Sequence, residues 1–163
     1  MRAAPVLFCL LFLVSPLRAG ETAAASLDRL FAGSEAPDGV VFEIIAWQDN
    51  TWDWAAPLLR RHVERLRASY PQLQIALVSH GAELFELSRH AGMRQQPAIR
   101  ELARLSAEGL EIHVCGEYAA RKRLGPRDFP DFVDVAASGS AQLADYIKLG
   151  YAHIRLEPED AID

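Results

Sequence analysis

From residue 40 onward, the sequence alternates between short apolar runs and longer stretches in which apolar residues recur every three or four positions. Runs rich in β-branched and aromatic residues predict buried strands, whereas the longer spacing predicts amphipathic helices. The pattern therefore predicts five strands separated by helical segments. These strands span residues 40–47, 73–79, 110–115, 132–136 and 151–156.

The longest predicted helix begins near Trp52, keeps its apolar residues on one stripe and ends before Pro71. Strands that alternate with helices imply parallel β–α units with right-handed crossovers. The sequence thus predicts a single-domain α/β fold with a mainly parallel five-stranded sheet. Shorter helices are predicted over 82–90, from Pro97 to Gly109, over 117–124, and between the turn at 138–140 and Gly150.

Composition narrows the range of partners. The 163 residues are 50% hydrophobic and 24% charged, which is typical of one globular domain. The formal charge of −5 argues against nucleic acid or an anionic membrane surface as the main partner. The two cysteines are too few for a disulfide scaffold or a cysteine-based zinc site.

The first residues have the pattern of a secretory signal peptide. A basic start is followed by an unbroken apolar run over 6–14, by Pro16 and by a small residue at Ala19. The run is shorter than the about 20 residues that a stable membrane helix needs, so we expect no stable membrane insertion after cleavage. An uncleaved anchor is the alternative. We expect cleavage after Ala19, which would make the protein periplasmic.

Export would divide the chain into four parts: a signal peptide over 1–19, a linker over 20–39 with room for one short helix, the α/β domain over 40–158, and an acidic tail over 159–163. Cys9 would leave with the signal peptide. Cys115 would then be the one cysteine of the mature chain, and no intramolecular disulfide could form. An unpaired thiol in an oxidising compartment is a candidate for chemistry.

Cys115 stands where a strand ends and a helix is predicted to begin. A helix N-terminus favours a thiolate, and Arg121, Lys122 and Arg123 follow within two turns. The residue is therefore either a nucleophile or sulfur carrier, or a small buried hydrophobe at the end of a strand. Sequence position alone favours neither alternative.

Other polar and glycine residues follow the predicted strands, where ligands collect in parallel sheets. His80 could hold an anion or move a proton, or it could simply hydrogen-bond its own loop. Asp49 and Asn50 could line a pocket, although capping the next helix is the simpler interpretation. Together with Cys115, the candidate pocket residues are His80, Gly81, Gly116, Asp49, Asn50, Ser138 and Arg121.

The remaining motifs argue against a bound metal or cofactor. Five histidines are scattered without metal-ligand spacing, and His62 and His90 are predicted to be solvated on their helices. His113 and His153 lie within strands, where they could face a subunit interface. No glycine-rich dinucleotide or P-loop motif occurs. We therefore expect no metal site and no cofactor.

Taken in order, several segments make the sequence resemble the DsrE/DsrF-like proteins. The resemblance covers about residues 40–158, and no single motif carries it. The segments are the first strand with its helix, 76–81, 99–115, the helix ending at 121–125, and 135–139 with 143–154.

The resemblance implies a three-layer α/β/α sandwich that assembles as a trimer or hexamer. Its best-understood members carry sulfane sulfur as a persulfide on a cysteine after the third strand and pass it to a partner protein. Cys115 matches that cysteine by position. The expected function is thus an exported sulfur carrier without independent turnover, with donor and acceptor proteins as partners. The alternative is a non-catalytic small-molecule-binding or assembly module in which Cys115 is only packed.

Overall fold

A computed structural model of the chain describes residues 22–33 and 35–161, so the predicted signal peptide lies outside the described residues. The described part contains a five-stranded sheet in which every paired strand is parallel, and the strand order is β4-β3-β2-β1-β5. The predicted parallel α/β fold is confirmed. The strands are β1 (Gly39–Ile44), β2 (Gln74–Ser79), β3 (Leu110–Cys115), β4 (Asp134–Ala136) and β5 (Tyr151–Arg155).

Helices cover both faces of the sheet, which makes three layers. The helices are α1 (Ala23–Ala32), α2 (Thr51–Ser69), α3 (Gln96–Ala107), α4 (Gly116–Ala119) and α5 (Gly139–Lys148). The main core packs α1, α2 and α3 against alternate strand residues such as Phe42 and Leu77. On the other face, Leu143 and Tyr146 of α5 pack against Val41 and Val78. None of the helices in the described part has the length and hydropathy that crossing a membrane requires.

The face under α5 carries polar residues as well as apolar ones. The Tyr146 hydroxyl donates a hydrogen bond of 2.6 Å to Glu111 Oε2 and lies 2.8 Å from His113 Nε2. Both partners belong to β3, so this network joins α5 to the centre of the sheet. Burial and the Glu111 carboxylate raise the pKa of Tyr146. The hydroxyl therefore stays protonated and keeps its role as a donor.

Several predicted elements are shorter in the structure, among them the helix predicted over 117–124, which ends at Ala119, and the strand predicted over 132–136, which begins at Asp134. Two further differences share one cause. The segment predicted as a helix over 82–90 is a 3₁₀ helix, Ala82–Leu87, and β1 ends at Ile44 instead of residue 47. The reason is a buried Glu83 carboxylate that accepts a 2.7 Å hydrogen bond from the Ala46 N–H. The Ala46 carbonyl in turn accepts from the Ala82 N–H at 2.7 Å. These bonds turn the chain away from the sheet.

The segments that flank the predicted α/β domain on both sides pack against it. The helix α1 lies in the predicted linker, and its Leu27 is fully buried. Near the other end, Asp160 is buried in the stretch predicted as an acidic tail. Its carboxylate accepts hydrogen bonds from the N–H groups of Ala23, at 2.9 Å, and Glu157, at 2.8 Å. The two segments therefore contact each other directly.

The prediction that His62 is solvated is wrong. His62 lies between Leu59 and Leu66 on the buried stripe of α2 and is 5% exposed. Its ring stacks on Phe42 with centroids 6.1 Å apart, and neither ring nitrogen has a hydrogen-bond partner among the described residues. Burial, assisted by the charge of Arg65, lowers the pKa of His62 from 6.5 to about 4.

We predict that this histidine makes the protein less stable in mild acid. The unfolded chain takes up a proton at His62 below pH 6.5, whereas the folded protein resists protonation until about pH 4. The free energy of unfolding should therefore be fully present above pH 6.5 and should fall by up to about 3 kcal/mol as the pH approaches 4. Urea unfolding of His62→Phe should show a smaller decline over this interval. His90→Gln, at an exposed position, should keep the decline of the wild type, and equal slopes in all three proteins would contradict the prediction.

Candidate functional site

A small cavity of about 190 Å³ lies at the carboxyl ends of β2 and β3. Four of the residues predicted from the sequence line it, namely Cys115, His80, Arg121 and Ser138. The fold brings them together because parallel strands end at the same edge of the sheet. Three further lining residues, Glu117, Tyr118 and Ser140, were not predicted.

Strand register places the histidine beside the cysteine. Ser79 of β2 pairs with Val114 of β3, and His80 and Cys115 are the next residue on each strand. A methyl group built on Gly139 would lie 2.5 Å from Cβ of His80 and 3.1 Å from Cβ of Cys115. The first turn of α5 therefore lies against both side chains, and only glycine allows it to come so close.

Cys115 is 7% exposed and is the one free cysteine in the part of the chain that the structure describes. It is the N-cap residue of α4, which has only four residues before a 3₁₀ turn replaces it. The ten-residue α5 also begins at the cavity, and its N-terminus supplies the larger positive dipole.

Of the three basic residues that follow, Arg121 alone lines the cavity. Its guanidinium carbon lies 4.8 Å from the centroid of the Tyr118 ring, a cation–π contact that holds it near the opening. Lys122 instead places its Nζ 3.9 Å from the centroid of Phe85, in a neighbouring hollow. Arg123 is exposed and has a left-handed backbone with φ of 59°. Of the three expected cations, the cavity therefore contains one, Arg121, and it also contains the acidic residue Glu117.

Beneath the cavity, Glu43 joins two histidines from neighbouring strands. Its Oε1 lies 2.8 Å from Nε2 of His80, and its Oε2 lies 2.8 Å from Nε2 of His153. The carboxylate is 7% exposed. Hydrogen bonds from His153 and then His80 lower the pKa of Glu43 from 4.5 to about 2, against the opposing effect of burial. Glu43 is therefore ionised at neutral pH, and both rings donate to it through Nε2.

Glu43 and His153 were not predicted as site residues, although one feature of the sequence pointed to Glu43. Glu43 is the one charged residue inside an otherwise apolar strand, and a buried carboxylate requires partners. The sequence does not show that His153 lies near Glu43, because the two residues are far apart along the chain. They come together only because β5 pairs with β1 in the sheet. Sequence reasoning left His153 as a candidate interface residue.

Two of the predicted glycines shape the site without lining the cavity. Gly81 leaves room for the Glu83 carboxylate, which accepts a 2.9 Å hydrogen bond from its N–H. Gly116 allows close approach of β4, since a Cβ there would lie 2.8 Å from the carbonyl oxygen of Ala136. Both glycines therefore act through packing.

Asp49 and Asn50, in the loop after β1, do not line this cavity. Asp49 lines the separate hollow that contains Lys122, and Asn50 is the N-cap residue of α2 with a left-handed φ of 62°. The Asn50 carbonyl accepts a hydrogen bond from the Asp53 N–H at 3.1 Å, while its side chain makes no capping bond. Among the described residues, no group of three or more potential metal-ligating side chains could hold an ion.

Two solved structures have the same fold as this chain. The Methanobacterium thermoautotrophicum protein MTH1491, described as a protein of unknown function, aligns with a TM-score of 0.58 at 23% identity. The alignment covers 71% of this chain and 96% of that one. The E. coli YchN protein aligns with a TM-score of 0.53 at 14% identity, over 74% of this chain and 99% of the other. These identities show the fold alone, and the fold is DsrE-like.

Comparison by sequence adds no relative. No protein-family model matches the chain, and no match was found among curated proteins.

We predict that Glu43 contributes stability that is lost in strong acid. Its folded pKa is about 2 and its ordinary value is 4.5, so the contribution is fully present above pH 4.5 and disappears as the pH falls towards 2. At pH 7, Glu43→Gln should lower the free energy of unfolding by up to about 3 kcal/mol, and the two proteins should converge near pH 2. Urea unfolding across this range measures both curves. Glu111→Gln, a change on the same sheet face, should not reproduce the convergence, and a constant difference down to pH 2 for Glu43→Gln would refute the prediction.

Proposed function

We propose that this protein is a sulfur carrier that holds sulfane sulfur as a persulfide on Cys115 and transfers it to a partner. The observation that carries the proposal is the placement of Cys115 in a small cavity beside His80 and Arg121, at the N-terminus of α5. A thiolate is the form that attacks sulfur, and reactive cysteines are generally found beside cationic side chains, histidines and helix N-termini. The DsrE-like fold supports the same interpretation, since the sulfur-relay proteins that the sequence resembles share it.

The size and composition of the cavity also suit this role. A volume of about 190 Å³ is below the range of 300–1,000 Å³ typical of sites for drug-sized ligands. A persulfide adds one sulfur atom, which fits such a space. Since Cys115 has no second cysteine within the described residues, an incoming sulfur cannot be resolved by a disulfide there. Release therefore depends on a thiol from another molecule.

We predict that the purified protein takes up sulfur from inorganic polysulfide. Intact mass should increase by whole sulfur atoms, and dithiothreitol should remove them, because a persulfide is a reducible S–S bond. Cys115→Ser should show no increase. Ser79→Ala is the control. It changes β2, the strand beside β3, on the face of the sheet opposite to Cys115, and it should still take up sulfur.

The competing function is a non-catalytic binding or assembly module, and the 7% exposure of Cys115 favours it. In that case Cys115 would alkylate only after denaturation and the protein would gain no sulfur. Such a result would contradict the carrier proposal. A ligand that raised the melting temperature equally in wild type and Cys115→Ser would then support the binding module.

We further propose that the protein is exported and works as a homo-oligomer, a trimer or hexamer. The apolar start of the sequence supports export to the periplasm. Assembly is supported by large apolar side chains that remain uncovered on the single chain. Ile147 and Leu149, at the end of α5, are 46% and 65% exposed. Trp47, beside the cavity, is 65% exposed.

We predict that light scattering at micromolar concentration gives the mass of a trimer or hexamer. Burial of Leu149 in the assembly should make Leu149→Glu shift the mass towards the monomer, because a buried unpaired charge is costly. Met93→Glu changes a residue that is 92% exposed elsewhere and should leave the mass unchanged. A monomeric wild type at every accessible concentration would refute assembly.

A further inference from the structure

We infer that His80 accepts the proton of the Cys115 thiol and that Glu43 is the positioning residue that holds His80 for this step. The inference rests on the proposed sulfur-carrier function and adds how the thiol of that carrier is activated. Cys115, His80 and Glu43 would form a nucleophile, a base and an orienting carboxylate, supplied by the three adjacent strands β3, β2 and β1.

The first support is proximity. His80 and Cys115 follow paired positions on neighbouring strands, which in general lie about 4.8 Å apart. Both side chains project to the α5 side, where their Cβ atoms surround the site of a methyl group on Gly139. Both also line the same cavity. At this separation, rotation about the side-chain bonds brings a thiol within reach of an imidazole nitrogen.

The second support is the state of the ring. Because ionised Glu43 can only accept hydrogen bonds, Nε2 of His80 must carry a proton. In the neutral ring, Nδ1 is then the nitrogen without a proton, because the hydrogen bond to Glu43 uses Nε2. The arrangement leaves one basic nitrogen available to the thiol. Once that nitrogen is protonated, the adjacent carboxylate stabilises the imidazolium.

The third support is that Glu43 is itself fixed. His153 of β5 lies 2.8 Å from the second carboxylate oxygen, so the carboxylate cannot rotate away from His80 without losing a partly buried hydrogen bond. His80, Glu43 and His153 thus form one hydrogen-bonded network across three neighbouring strands. The other titratable groups that line the cavity are Glu117, Tyr118 and Arg121, while α5 contributes only the hydroxyls of Ser138 and Ser140.

The step balances without an oxidant. His80 takes the proton from the Cys115 thiol, and the resulting thiolate attacks the outer sulfur of a donor persulfide, R–S–SH. A new S–S bond forms on Cys115, the donor S–S bond breaks, and its electron pair leaves with R–S⁻. The imidazolium returns its proton to that thiolate, which gives R–SH. The products are Cys115 persulfide and a donor thiol, with no net redox change.

The experiment measures the rate of sulfur uptake from glutathione persulfide against pH in wild type and in His80→Gln. Near pH 7, His80→Gln should be at least about 10-fold slower, because it lacks the base. At about pH 9.5, where a free thiol ionises without help, the two rates should agree within roughly twofold. His113→Gln is the matched control, since His113 lies on the same sheet face and is about as buried as His80, with side-chain exposures of 13% and 14%. It should follow the wild-type profile.

Glu43→Gln should also be slower near pH 7 and should also recover at high pH, since its effect is exerted through His80. A folding defect alone would lower the rate at every pH and would not recover. If His80→Gln cannot be purified as a folded protein, the pH dependence of sulfur uptake by wild type alone tests the inference. An unassisted thiol would lose about 30-fold in rate between pH 9.5 and 7, and the activated thiol should lose less than about threefold.

The outcomes separate this inference from the function on which it rests. If wild type takes up sulfur and His80→Gln matches it at every pH, the inference is overturned and the carrier function stands. A 30-fold fall in the wild-type rate of sulfur uptake between pH 9.5 and 7 would also overturn the inference. If wild type takes up no sulfur from either donor, the carrier function fails, and the inference fails with it.

Discussion

The parallel pairing of β1, β2 and β3 is the constraint on which the site depends. Each of these strands ends at the same edge of the sheet, and each delivers one side chain to the face beneath α5. Glu43, His80 and Cys115 are far apart in sequence, and no local turn could bring them together. A shift of one residue in either register would send one of these side chains to the opposite, apolar face. The packing of the core therefore also fixes the polar site.

The two faces of the sheet carry different kinds of interaction. The face beneath α2 and α3 is closed by apolar side chains, and even His62 is held there as a neutral ring. The face beneath α5 has a smaller apolar cluster, and hydrogen-bonded networks built on Glu43 and Tyr146 lie beside it. Most buried polar groups in proteins are hydrogen-bonded, as these are. His80, which is paired with Glu43, lines the same cavity as Cys115.

The sequence predicted the sheet and half of the cavity because both depend on local signals. Apolar runs located the strands, and the residues that follow them located Cys115, His80, Arg121 and Ser138. Glu43 and His153 required the spatial order of strands, which hydrophobic periodicity does not contain. The same limit applies to α1 and Asp160, whose contact joins the two ends of the described chain. His62 differs for another reason, because it lies on the buried stripe of α2 although its side chain is polar.

Gly139 also bears on how relatives of this protein can be recognised. Any larger residue there would force its Cβ into His80 and Cys115, so the helix would have to withdraw from the sheet. A related sequence with the cysteine but without this glycine cannot keep the same contact between helix, imidazole and thiol. The combination of a glycine opening the last helix, a histidine after the second strand and a cysteine ending the third thus forms a three-point signature.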